Sequence, residues 1–169
     1  MNILADDLIN YHCPRYNELP EIDLYIDQVV TILQNNLSIF CKDPENPIIT
    51  PSMINNYVKN GLLSSPIKKK YNKDHLAHLF VICILKKLLS ISDIGESLRL
   101  MKKLYSVEDG YNIFCDELEY SLKSTFVKDY KVKDDILDSD IREIATLKAI
   151  TSAFSNCILV DRLISMREK

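Results

Sequence analysis

Apolar residues recur at steps of three and four along most of this chain, with polar residues falling on the opposite side. Ile22, Tyr25, Ile26, Val29, Leu33, Leu37 and Phe40 form one such series. Asp23, Asp27 and Gln34 face away from it, so the spacing predicts a helix over about 21–41. A short helix over 3–11 precedes it and ends at CPRYNELP, where Pro14 and Pro20 bracket a linker. KDPENP then reads as a loop, because its two prolines and Asn cannot continue a helix.

The next helix is sharply punctuated. Thr50 is placed to cap it, Pro51 stands at its first position, and Gly61 takes the left-handed position that ends it. Met53, Ile54, Tyr57 and Val58 face inward over about 51–60, which leaves Ser52, Asn55, Asn56, Lys59 and Asn60 outside. SSPIKKKY is too short and polar for a helix, and a small hairpin around 63–71 is the only β candidate. Asn72 caps the following helix, with Leu76, Leu79, Phe80, Cys83, Ile84 and Leu88 as its buried stripe. Ser90 and Asp93 have the spacing of a capping box opening a helix over 91–104. A further helix over 107–128 is weakly interrupted by Gly110, and 129–138 is a charged loop. The last helix, 139–167, carries Ile141, Ile144, Leu147, Ile150, Phe154, Ile158 and Leu163 on one broad face. That face packs either on helices 91–104 and 107–128 of the same chain or on a second copy, as a homodimer contact.

Composition agrees with an all-α chain forming a single domain over 1–169. Of 169 residues, 47% are apolar and 27% charged, and there are only three Gly. The longest strongly apolar run, Leu79–Leu85, is too short to cross a bilayer, so no membrane association is expected. The first ten residues hold two aspartates and no basic segment, unlike a signal peptide, which leaves a cytoplasmic location as the expectation. The five cysteines are widely spaced and form no Cys-x-x-Cys pair, as in a reduced protein with structural thiols.

Charge changes the picture more than composition does. Residues 1–49 carry eight acids against Arg15 and Lys42. Residues 50–80 carry Lys59, Lys68, Lys69, Lys70 and Lys73 against Asp74 alone. A local positive field of this kind is what an anionic partner meets. The helix before the lysine run has no acid anywhere from 50 to 62, and its outer side chains are short hydrogen-bonding groups.

Other chemistry finds little footing. There is no Gly-x-Ser-x-Gly, no phosphate-cradling Gly-rich loop and no His-Glu-x-x-His. His75 and His78 share a helix face, but no third metal ligand accompanies them and they read as a helix-surface pair. His12 and Cys13 are adjacent, which suits neither a dyad nor a metal site. The chain is therefore expected to be non-enzymatic, with no catalytic residue, no metal and no cofactor.

The stretch TPSMINNYVKNGLLSSPIKKKYNKDHLAHLFVICILKKLLSISDI resembles the DNA-binding half of MerR-like winged-helix regulators. Thr50, Asn56, Tyr57, Gly61, Leu62, Leu63, Tyr71, Leu76, Leu79, Ile82, Leu89, Ser90 and Ile94 stand at matching places over about 45 residues. The wing here is shorter and lacks the Gly of that family, and its metal-sensing cysteines have no counterpart. With CPRYNELPEIDLYIDQV before it, the longer frame resembles a bacterial family known only as a domain of unknown function, number eighteen thirty-six. That second resemblance implies a MerR-like fold and supplies no activity.

The resemblance implies a helix-turn-helix or winged-helix module over 20–95, with a small β wing at most. Residues 96–169 then form a helical bundle, as an extension or a dimerisation region. The expected function is a DNA-binding transcriptional regulator whose recognition helix is about 51–60 and whose basic wing is 66–71. Ser52, Asn55, Asn56 and Lys59 would approach bases or phosphates, Lys68, Lys69 and Lys70 would bind phosphates, and Tyr71 would lie along the sugar-phosphate backbone. The alternative is a protein-interaction module on a co-opted winged-helix fold.

Overall fold

The computed structural model describes residues 5–41, 45–130 and 141–166. Among them the chain is mostly helical, with one two-stranded sheet. In order come α1 (Asp6–Ile9), β1 (Leu24–Tyr25), α2 (Ile26–Leu37), α3 (Pro51–Lys59), β2 (Lys70–Tyr71) and α4 (Lys73–Leu85). These are followed by α5 (Ile91–Leu104), α6 (Val107–Phe126) and α7 (Arg142–Ser165). Short 3-10 turns occupy Tyr16–Glu18 and Ser38–Phe40. The charged loop expected over 129–138 lies almost wholly outside the described residues.

The chain divides into two compact units, Pro14–Asn112 and Met1–Cys13 with Ile113–Lys169. The first is built around α4, which is buried on nearly every side. His75, Leu76, Ala77 and all of Leu79–Leu85 are buried in it. The one-sided stripe expected from the sequence is therefore too narrow; a helix apolar all round belongs inside a core. Cys83 is completely buried, and that burial pushes its thiol up to about 12, so it packs as a small hydrophobe.

The caps form as their residue types dictate. Thr50 Oγ1 accepts from the Met53 N–H at 3.2 Å, Asn72 Oδ1 from the His75 N–H at 3.1 Å, and Ser90 Oγ from the Asp93 N–H at 3.2 Å. Gly61 holds φ +72, the left-handed position after α3. Gly110 does not break its helix, which runs through it.

The α2–α3 connection is held by side chains from the far end of α4. Lys86 Nζ donates to the Ile48 carbonyl and Lys87 Nζ to the Phe40 carbonyl, and Gln34 Nε2 donates to the Ile49 carbonyl at 3.2 Å. These bonds satisfy loop carbonyls that no helix serves. They also fix the approach to Thr50 and so the start of α3. Burial holds the Lys86 ammonium below the ordinary lysine range.

The helix expected over 21–41 begins later, at Ile26. Leu24 and Tyr25 form a strand instead, with Leu24 opposite Tyr71 and Tyr25 opposite Lys70. Ile22 and Tyr25 are consequently exposed and do not belong to the buried face of α2. Antiparallel pairing supplied a partner that helical spacing alone did not reveal.

In the second unit, α7 buries Leu147, Thr151, Phe154, Ser155 and Ile158. Ser121 Oγ donates to Thr151 Oγ1 at 2.9 Å within that core, and Arg162 pairs with Asp7 at 2.8 Å. Two residues expected on the apolar face, Ile141 and Leu163, are exposed. By length and composition alone α7 is also apolar enough to cross a membrane, with 28% of its 18-residue window buried. Its apolar residues are interrupted by Thr, Ser, Asn and Lys, so it holds no long unbroken apolar run.

Lys86→Met keeps the aliphatic stem and removes the donor to the Ile48 carbonyl. The expected loss is about 1.5–3 kcal/mol of unfolding free energy, measured by urea denaturation.

Candidate nucleic-acid interface

Nine residues make α3, and the apolar ones sit on one side. Ile54 and Tyr57 are buried, while Ser52, Asn55, Asn56, Lys59 and Asn60 are exposed, as their spacing implied. Asn60 Nδ2 donates to the Asn56 carbonyl and side-chain oxygens, each at 2.9 Å. Asn56 thus has one side-chain acceptor already engaged, whereas Ser52, Asn55 and Lys59 present their groups to solvent.

The lysine run forms a tight hairpin. Ile67 and Lys70 exchange both backbone hydrogen bonds, Ile67 N–H to Lys70 O at 3.0 Å and Lys70 N–H to Ile67 O at 2.9 Å. Between them Lys68 and Lys69 take φ +49 and +63. Two successive left-handed residues joining two strands are the geometry of a type I′ turn, which favours Asn-Gly. Lysine in that conformation brings its Cβ against the backbone, costing roughly 1–2 kcal/mol per residue. Lys68 and Lys69 are both exposed.

Neighbouring charges are partly spent inside the fold. Lys73 pairs with Glu21 and lies 4.8 Å from the Tyr16 ring centroid. Asp74, the one acid of the segment, accepts from the Tyr16 hydroxyl at 2.5 Å. Burial, together with that bond, pushes Tyr16 up to about 12. Among the described residues no carboxylate pairs with Lys59, Lys68, Lys69 or Lys70. These four make up the uncompensated part of the positive segment.

Two expectations need correcting. Tyr71 is 3% exposed and opposes Leu24 on the inner face of the sheet. Its ring meets His75 edge-on at 5.5 Å, so it anchors the hairpin to α4 and cannot lie along a sugar-phosphate backbone. Nor are His75 and His78 a surface pair. His75 is 5% exposed, takes the Asn72 N–H on Nδ1 at 3.1 Å, and meets Ser64 Oγ through Nε2 at 3.0 Å. His78 Nδ1 donates to the Asp74 carbonyl at 2.6 Å, and burial holds its pKa down.

The aromatic residue that stands on the surface beside the lysines is Tyr25, 56% exposed. Lys70 Nζ lies 5.2 Å from its ring centroid. Helical spacing puts Tyr25 on the buried side of a helix, and the strand turns it outward. The alternation buried–exposed at Leu24–Tyr25 was the signal, legible only once the strand partner was known.

Lys68→Asn with Lys69→Gly keeps the hairpin while relieving its strain. The pair is expected to raise unfolding free energy by about 1–2 kcal/mol, read as a higher urea midpoint at unchanged slope.

A family described as "Domain of unknown function (DUF1836)" has a model that matches residues 14–118, and the chain belongs to this family. No curated protein and no solved structure matches the chain.

Proposed function

We propose that this DUF1836 member is a non-enzymatic, DNA-binding regulator of MerR-like, winged-helix type. The observation that carries the reading is the turn at Lys68 and Lys69. Two lysines occupy positions where Asn-Gly would be more stable, and neither has a carboxylate partner among the described residues. The fold imposes this turn but does not call for lysine in it, and for paired cations without a carboxylate partner the fitting partner is a polyanion.

The order of elements supports the same reading. Helices α2 and α3 pack together, a hairpin follows, and α4 begins directly after it. In a winged-helix arrangement α3 is the recognition helix and the hairpin is the wing. Ser52, Asn55 and Asn56 then meet base edges or phosphates, and Lys59, Lys68, Lys69 and Lys70 neutralise phosphates.

Four phosphate contacts give a slope of log affinity against log salt of about −3 to −4. Fluorescence anisotropy with random-sequence duplex DNA over several salt concentrations measures it. The Lys68→Asn/Lys69→Gly variant is expected to lose about 2 from the magnitude of that slope while being more stable than the parent. No binding at low salt, or a slope unmoved by the substitution, sinks the reading.

A protein-interaction role is the second reading, and the outer side of α7 favours it, with this chain itself as partner. Cys157, Val160 and Ile164 are exposed at helical spacing, beside Leu163 and Met166. Two-fold pairing through this side also suits half-site recognition. Mild oxidation is expected to give a disulfide-linked dimer that Cys157→Ser abolishes, with sedimentation velocity reporting a dimer for both proteins under reducing conditions. A monomer in sedimentation rejects the pairing.

A further inference from the structure

The sheet has an outer row that the lysines alone do not explain. Antiparallel opposition places Tyr25, Lys70 and Ile67 on one face, because directly opposed residues point the same way. Leu24 and Tyr71 form the other, buried face. Tyr25 is 56% and Ile67 69% exposed, and Lys70 lies between them with its ammonium over the Tyr25 ring. The row therefore alternates apolar, cationic, apolar, with neighbouring strands spaced about 4.7–4.9 Å apart. Tyr25 and Ile67 leave more than half of their surface to solvent.

We infer that this row grips the sugar-phosphate backbone of DNA, with Tyr25 and Ile67 against deoxyribose faces and Lys70 on the phosphate between them. The inference rests on the DNA-binding reading above and adds to it a salt-independent contact and a preference between nucleic acids. A DNA backbone repeats an apolar sugar between anionic phosphates, in the same alternation as the row. An RNA backbone carries a 2′-hydroxyl on each sugar, which loses its water against an apolar side chain. An acidic peptide offers the charge without the regular apolar spacing.

The experiment compares duplex DNA with duplex RNA of the same sequence, titrated by anisotropy over a range of salt. It uses the full chain, its Tyr25→Ser/Ile67→Ser variant, Tyr25→Phe, and Lys68→Asn/Lys69→Gly. Both Ser substitutions lie on the surface, and circular dichroism checks that the variant keeps its helices. The expected result is about a 10-fold loss of DNA affinity for the Ser variant at every salt concentration, with an unchanged slope. Tyr25→Phe retains parent affinity, because the ring and not the hydroxyl makes the contact. RNA binds the parent about 10-fold more weakly than DNA and is nearly insensitive to the Ser substitutions.

DNA binding with a normal salt slope but no loss in the Ser variant overturns this inference and leaves the DNA reading standing. Equal losses on DNA and RNA also overturn it. Failure of the parent to bind either nucleic acid, or binding only to anionic vesicles or acidic peptides, removes the DNA reading itself.

Discussion

Burial of α4 on nearly every side is the constraint on which the Pro14–Asn112 unit depends. A helix with ten buried residues among thirteen must be surrounded, and α2 and the small sheet pack directly against it. Its two ends then do separate jobs. At the start, Asn72 and His75 close the first turn while Tyr71 and Ser64 are held against His75. Beyond its end, Lys86 and Lys87 reach to the carbonyls of the α2–α3 connection. One buried helix thereby positions both halves of the candidate interface, the hairpin from one end and α3 from the other.

This arrangement explains why the hairpin tolerates a poor turn sequence. Tyr71 and Leu24 are locked into the core on the inner face of the sheet, so the chain must reverse within the residues that remain before Lys70. A two-residue turn between paired strands requires left-handed backbone whichever residues occupy it. The surroundings over-determine the conformation, and the lysines bear the strain. Their charge stays in solvent, because Lys73, Glu21, Tyr16 and Asp74 take up one another nearby.

Much of the helical frame was legible beforehand. The caps at Thr50, Asn72 and Ser90 depend on side chains three residues from the groups they satisfy, so local sequence decides them. The inward and outward sides of α3 followed from a single period, and they place Ser52, Asn55, Asn56 and Lys59 where the candidate interface needs them. The aromatic member was misread: Tyr71 follows three lysines and looked exposed, yet it is core, while Tyr25 looked helical and is exposed. A two-residue strand has too few positions to display its own alternation, so its inward and outward residues are set by the strand opposite.

By itself, then, the sequence determined what acts over a turn or two of helix: where helices start and stop, which side of α3 is apolar, and that positive charge gathers over residues 50–80 with Asp74 as the one acid against it. Only the tertiary structure decided what depends on residues far apart in the chain. It paired Leu24–Tyr25 with Lys70–Tyr71 across more than forty residues. It buried His75, turned the Lys86 and Lys87 ammonium groups onto loop carbonyls, and forced Lys68 and Lys69 into a left-handed turn. The physical reason is common to all of these. Hydrogen-bond partners and burial for loops, short strands and long side chains come from non-local packing, which no period or propensity encodes.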